Sequence, residues 1–108
     1  MTTTSASLKP RSRAEVLDRL RSEADAVKAL GVTSLYLFGS ALRDEIGPAS
    51  DVDVFVDYDP QGPFNAFDLV AAKRHLEEQL GVRVDLTTRR GLHPLIRAEV
   101  EKTALRVF

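Results

Sequence analysis

Apolar residues recur along this chain at two spacings, and each spacing predicts a different element. Between Ser12 and Gly31 the apolar positions Val16, Leu17, Leu20, Ala24, Val27 and Leu30 fall on one face of a helical repeat, opened by a capping box at Ser12-Arg13-Ala14-Glu15 and stopped by Gly31. Leu35 to Phe38 reads as a short buried strand, Ala41 to about Ile46 as a helical turn, and Gly47-Pro48 as a loop. The pattern then alternates strictly: Val52, Val54 and Val56 share one face of a strand, and Asp51, Asp53, Phe55 and Asp57 share the other. After the breaker Pro60-Gln61-Gly62-Pro63, a helix is expected from about Asn65 to Leu80, with Phe67, Leu69, Val70, Ala72, Leu76 and Leu80 available for packing and Gly81 ending it. A third strand over Val82 to Thr87 turns Val82, Val84 and Leu86 inward and Arg83, Asp85 and Thr87 outward. A last helix from about His93 to Lys102 carries Pro94 in its first turn and Leu95, Ile96 and Val100 as apolar positions, before an extended end at Leu105 to Phe108. Residues 1–11 are rich in Ser and Thr and lack apolar periodicity, so a flexible tail is expected ahead of a single domain over 12–108.

A domain of this size buries roughly two-thirds of the surface its unfolded chain exposes, enough to fold without staples. The sequence contains no cysteine, which excludes disulfides, zinc–thiolate centres and thiol nucleophiles and fits a reducing cytoplasm. No apolar run approaches the roughly 20 residues that span a bilayer, and the start has no signal-peptide pattern, so a soluble cytoplasmic protein without a membrane partner is expected.

Net charge is -1, which argues against a strongly basic nucleic-acid binder. Its distribution is more informative. Six of the 16 acidic residues (Asp44, Glu45, Asp51, Asp53, Asp57, Asp59) fall between positions 44 and 59 with no Lys or Arg among them, leaving 15 basic against 10 acidic groups elsewhere. An acidic focus in a mildly basic body suits a cation site that receives a polyanion.

Asp51 and Asp53 lie on one strand face about 6 to 7 Å apart, a spacing that brackets one or two hard cations, and Asp85 joins them if its strand pairs alongside. Three unpaired carboxylates about 5 Å apart repel by roughly 3 kcal/mol per pair at an effective dielectric of 20, which a cation would relieve. Taken alone, an Asp-x-Asp pair fits the solvated face of an edge strand better than a metal site. Gly39-Ser40 follows a strand and opens a helical turn, where backbone N–H groups and the Ser40 hydroxyl can hold phosphate oxygens; elsewhere such a dipeptide is only a turn. Arg43, one turn on, can reach a phosphate, pair with Asp51, or lie solvated. Arg89 and Arg90 either frame the site or a partner surface or form a solvated loop, and the isolated His75 and His93 read as surface or capping residues.

Leu37-Phe38-Gly39-Ser40, Arg43, Ser50-Asp51-Val52-Asp53 ten residues beyond Ser40, and Val84-Asp85-Leu86 together resemble the nucleotidyltransferase superfamily, specifically its minimal MNT-type members. The resemblance covers Leu35 to Leu86. It implies an α/β (α+β) fold in which a small mixed β-sheet is flanked by helices. It also implies nucleotide binding at Gly39 and Ser40 and Mg²⁺ held by the aspartates Asp51, Asp53 and Asp85, which are likewise the catalytic set. The expected activity is Mg²⁺-dependent transfer of AMP from ATP to a hydroxyl, with Asp85 available to take the acceptor's proton.

Only about 20 residues follow the third strand, too few to enclose an acceptor, so another macromolecule is expected to supply that pocket. Minimal members of this kind act as antitoxins of HEPN-domain ribonuclease toxins and adenylylate a toxin tyrosine. The alternatives are an antitoxin that neutralises by contact alone, and transfer to a small molecule or an RNA end. One departure stands out: Asp44 follows the arginine where minimal members often carry glycine, adding negative charge near the expected phosphate cradle.

Overall fold

The computed structural model describes residues 9–47 and 51–108. Residues 1–8 of the expected tail, Pro48 of the expected loop and Ser50 of the motif before Asp51 lie outside them.

Element order is α1 (Arg13–Ser22), α2 (Ala24–Ala29), β1 (Val32–Phe38), α3 (Gly39–Leu42), β2 (Val52–Tyr58), α4 (Ala66–Leu80), β3 (Val84–Thr88), a 3-10 turn (Arg89–Gly91), α5 (Pro94–Thr103) and β4 (Leu105–Arg106). The strands form one mixed sheet in the order β3-β2-β1-β4, with β1 antiparallel to both its neighbours and β2 parallel to β3. Alternation decides the layers. Leu35, Leu37, Val52, Val54, Val56, Val84 and Leu86 turn to one face, where Val16, Leu20, Val27, Ala72, Leu76 and Leu80 of α1, α2 and α4 complete the core.

The expected first helix is two. Val16, Leu20 and Val27 are buried as its apolar face requires, but Glu23 breaks the helix at φ -100 and ψ 8, and its Oε1 meets Nε2 of His75 on α4 at 2.6 Å. Only half of the capping box forms: Ser12 Oγ accepts from the Glu15 N–H at 3.2 Å, while the Glu15 carboxylate accepts from Arg11 N–H at 3.3 Å. Helix α4 has the complete box instead, with the Asn65 side chain accepting from Phe67 and Asp68 N–H and Asp68 returning to Asn65 N–H. Phe67 on this helix stands in solvent rather than in the core, 86% exposed. His93 caps α5 by accepting from Leu95 N–H at 3.2 Å, and no residue of α5 is buried.

Asp44 adopts φ +60, the left-handed conformation that favours glycine, which gives a backbone reason for glycine there in minimal members. Its carboxylate is not spent on the cradle. Oδ1 accepts from the N–H of Arg13 at 2.7 Å, capping the first turn of α1, and the Arg13 guanidinium donates to the Leu42 carbonyl at 3.1 Å. Asp44→Gly relieves the backbone while losing the cap, so its stability should stay close to that of the parent. Asp44→Ala loses the cap and keeps the strain that the parent already carries, and should cost about 1 kcal/mol. Urea midpoints at unchanged slope measure both; equal midpoints for the two variants would remove the backbone explanation.

Candidate active site

The expected site residues gather at one end of the sheet, where β1 runs out into α3 and where β2 and β3 begin. Register does the gathering: Phe38 lies opposite Asp53, and Asp53 lies beside Asp85 across the parallel β2–β3 pair. Gly39 then turns at φ +76, and a Cβ built there would run into the Asp53 carboxylate, whose carbon lies 3.0 Å from that position. Glycine is thus required twice at this position, by its conformation and by the close approach of β2. The Gly39-Ser40 turn is closed by Arg43 N–H donating to the Gly39 carbonyl at 3.3 Å and Glu45 N–H donating to the Ser40 carbonyl at 2.8 Å.

The electrostatics follow from this crowding. Burial holds the Asp53 carboxyl above the usual range, and the charges of Asp85 and then Asp51 push it further, while Arg43 acts the other way. Asp85 is exposed, whereas Asp51 is partly covered and lies 3.2 Å from Arg83 Nε. The approach is too poorly aligned to be a hydrogen bond, so the buried Asp51 Oδ1 has no hydrogen-bond partner. Arg43 pairs with Glu45 at 2.9 Å, not with Asp51. Among the described residues no three Asp, Glu or His side chains converge on one point as placed. The donor set nonetheless suits a hard cation: all are carboxylate oxygens, one is buried without a hydrogen bond, and one is held above its ordinary pKa by burial and then by its neighbours' charge.

Beside the carboxylates a groove of about 650 Å³ opens between the Gly39–Arg43 turn and α5. Phe38, Leu42 and Arg43 line one side, and Leu95, Ile96 and Val100 the other. The face that carries Asp53 also carries an aromatic and charged cluster. Tyr36 and Phe55 stack with centroids 4.7 Å apart, and the Arg89 guanidinium lies 5.0 Å and 4.9 Å from the two rings. Arg89 forks onto Asp57 through two bonds of 2.8 Å and gives a third, of 2.9 Å, to Glu101 on α5. This fork holds the Asp57 carboxyl below its usual range and raises the arginine. Phe55 is fully buried as a result, on the face where alternation alone placed it among aspartates.

Arg89 is thus not a solvated loop residue: it is held by Asp57 toward the far end of β2 and by Glu101, whereas Arg90 is exposed. Leu95 and Ile96 were not foreseen as lining a groove, nor Glu101 as a partner of Arg89, and no local spacing announces them. The one available signal is that α5 has an apolar stripe with nothing in the core to meet it.

Residues 15–107 match the nucleotidyltransferase domain family. A Methanocaldococcus jannaschii protein named for protein adenylyl transfer is 31% identical over 90 residues, covering 82% of this chain and 90% of its own length. A solved minimal nucleotidyltransferase superposes with a TM-score of 0.66 at 34% identity, covering 82% of this chain and 93% of that one. A toxin–antitoxin complex crystallised with AMP-PNP contains a chain of the same fold, at a TM-score of 0.64 and 18% identity over 82% of this chain and 72% of its own. The mixed sheet with helices against one face is the fold expected from the motif, and among the described residues no helix is long and apolar enough to cross a membrane. With the glycine turn, the paired aspartates and a match along nearly its whole length, this chain belongs to the nucleotidyltransferase domain family.

Proposed function

We propose that this nucleotidyltransferase moves AMP from ATP onto a tyrosine hydroxyl of a partner HEPN-domain toxin and so serves as its antitoxin. The observation that carries the reading is the meeting of Gly39, Asp53 and Asp85 at one end of the sheet, with Asp53 against a glycine that has no room for a side chain. The protein-adenylyltransferase name of the Methanocaldococcus relative and the toxin–antitoxin setting of the AMP-PNP complex support it.

In this reading Gly39 and Ser40 hold the triphosphate through backbone N–H groups and the serine hydroxyl, and Arg43 lends positive charge at the groove. Asp51, Asp53 and Asp85 hold Mg²⁺, which when bound offsets charge on the phosphates and on the attacking and leaving oxygens. The acceptor oxygen bonds to the α-phosphorus, the bond from that phosphorus to the bridging oxygen breaks, and pyrophosphate leaves. Asp85, exposed at the rim, accepts the hydroxyl proton. An adenylylated tyrosine beside a ribonuclease site would repel and obstruct RNA phosphates.

Intact-mass spectrometry of the co-expressed partner tests this. Wild type should add the mass of one AMP to the partner, and Asp53→Asn should add none. Equal partner masses with the toxin silenced in both samples would show that contact is the antidote and that transfer is not.

A further inference from the structure

Helix α5 forms one side of the groove, yet it is weakly built into the fold. None of its residues is buried, and Leu95 and Ile96 are 88% and 46% exposed. Polar ties hold it instead. Arg97 Nη2 donates to the carbonyls of Arg90 and Leu92 at 2.7 Å and 3.3 Å, fastening the start of the helix to the turn that precedes it. Toward the other end, Glu101 takes the third bond of Arg89, whose guanidinium is already fixed by the Asp57 fork and the Tyr36 and Phe55 rings.

We propose that Arg89 and Glu101 are positioning residues for the nucleotide: together they latch α5 to the sheet and thereby hold the far wall of the groove. The inference rests on the proposed function and deepens it by assigning the nucleoside end of ATP to this groove. Gly39 and Arg43 lie at its phosphate side, and Leu95, Ile96 and Val100 offer an apolar surface for a purine. Arg89 is suited to the latch because a planar guanidinium serves three acceptors in one rigid fork while its face lies on aromatic rings. A lysine, as a point charge on a flexible stem, cannot do this. Neither residue touches the reacting atoms in this scheme, so the latch should act on affinity and leave the chemical step alone.

The test compares wild type with Glu101→Ala, Glu101→Gln and Arg89→Lys by amide hydrogen exchange, by calorimetric titration with AMP-PNP and Mg²⁺, and by steady-state kinetics. Glu101→Ala leaves the Asp57 fork in place. Amides of α5 should exchange at least about tenfold faster while those of α4 and β1 are unchanged, and Kd and KM should rise by about tenfold with kcat within about twofold. Glu101→Gln keeps an acceptor for Arg89 and should recover part of both effects. If Arg89→Lys fails to fold, Glu101→Ala still decides. Unchanged α5 exchange in Glu101→Ala would overturn the latch, and faster exchange at unchanged affinity would overturn its link to the nucleotide. A wild-type protein that does not bind the analogue would overturn the nucleotide reading and this inference with it, and the wild-type titration separates that outcome from a failure of the latch alone.

Discussion

Asp53→Asn is expected to lower AMP transfer by about a hundredfold or more while leaving the ligand-free protein at least as stable as wild type. The first part follows from removing charge at the carboxylate nearest the glycine turn. The second follows from the sign of its perturbation. Burial and the charges of Asp85 and Asp51 hold Asp53 above the ordinary carboxyl value of 3.8 in the folded state, so the folded protein binds this proton more tightly than the unfolded chain does. Above its folded pKa the charged group is a cost to the fold. That cost fades as pH falls through the window between the raised pKa and 3.8, and is absent below it.

Asparagine mimics the neutral form, so the Tm of Asp53→Asn should equal or exceed that of wild type at neutral pH, and the difference should close on acidification. With Mg²⁺ and ATP the order should invert, because wild type gains stability by mass action and the variant does not. Melting curves with and without ligand, read beside transfer rates, check both parts. Near-wild-type transfer would show that Asp53 is not part of the metal and catalytic set. A large loss of Tm in the ligand-free variant would make the carboxylate a structural group.

The second large effect is expected at Gly39. In Gly39→Ala the new methyl group meets the Asp53 carboxylate, and the backbone sits at φ +76, where alanine is strained. The pairing of Phe38 with Asp53 prevents the strands from parting to make room. Either the carboxylate swings away or the turn opens, and each spoils the alignment of phosphate and metal. Stability should fall by about 1 to 2 kcal/mol and AMP-PNP affinity by about tenfold or more. A double-mutant cycle isolates the cause: in an Asp53→Ala background, where the obstructing carboxylate is gone, Gly39→Ala should cost measurably less stability. Additive losses would mean that strain alone, and not the approach of β2, requires glycine.

What the sequence made legible was what local period and motif encode. The alternation through Val52, Val54 and Val56 set the buried face of β2 and placed Asp53 opposite it, and the same alternation in β3 put Asp85 on the same side. What it hid depends on contacts between distant residues. Nothing near Phe55 tells that an arginine from beyond β3 will cover it, and nothing near Glu23 tells that a histidine on α4 will meet it where the helix breaks. Asp44 was read as a charge added to the cradle because its partner, the first N–H of α1, lies 31 positions earlier. The apolar stripe of α5 was visible, but its period does not distinguish a helix packed in the core from one that lines a groove.

The antiparallel pairing of β1 with β4 also sets a clock during synthesis. Leu35 exchanges backbone bonds with Val107 and Phe108, so the outer edge of β1 stays unpaired until that part of the chain has been made. Some 70 residues separate them, which at about 5 to 20 residues per second is roughly 4 to 14 s. For those seconds the nascent chain presents an apolar strand with free backbone donors and acceptors, the condition under which strands recruit one another between molecules. Until residues 105–108 have emerged, that edge of β1 has no strand of its own chain to cover it.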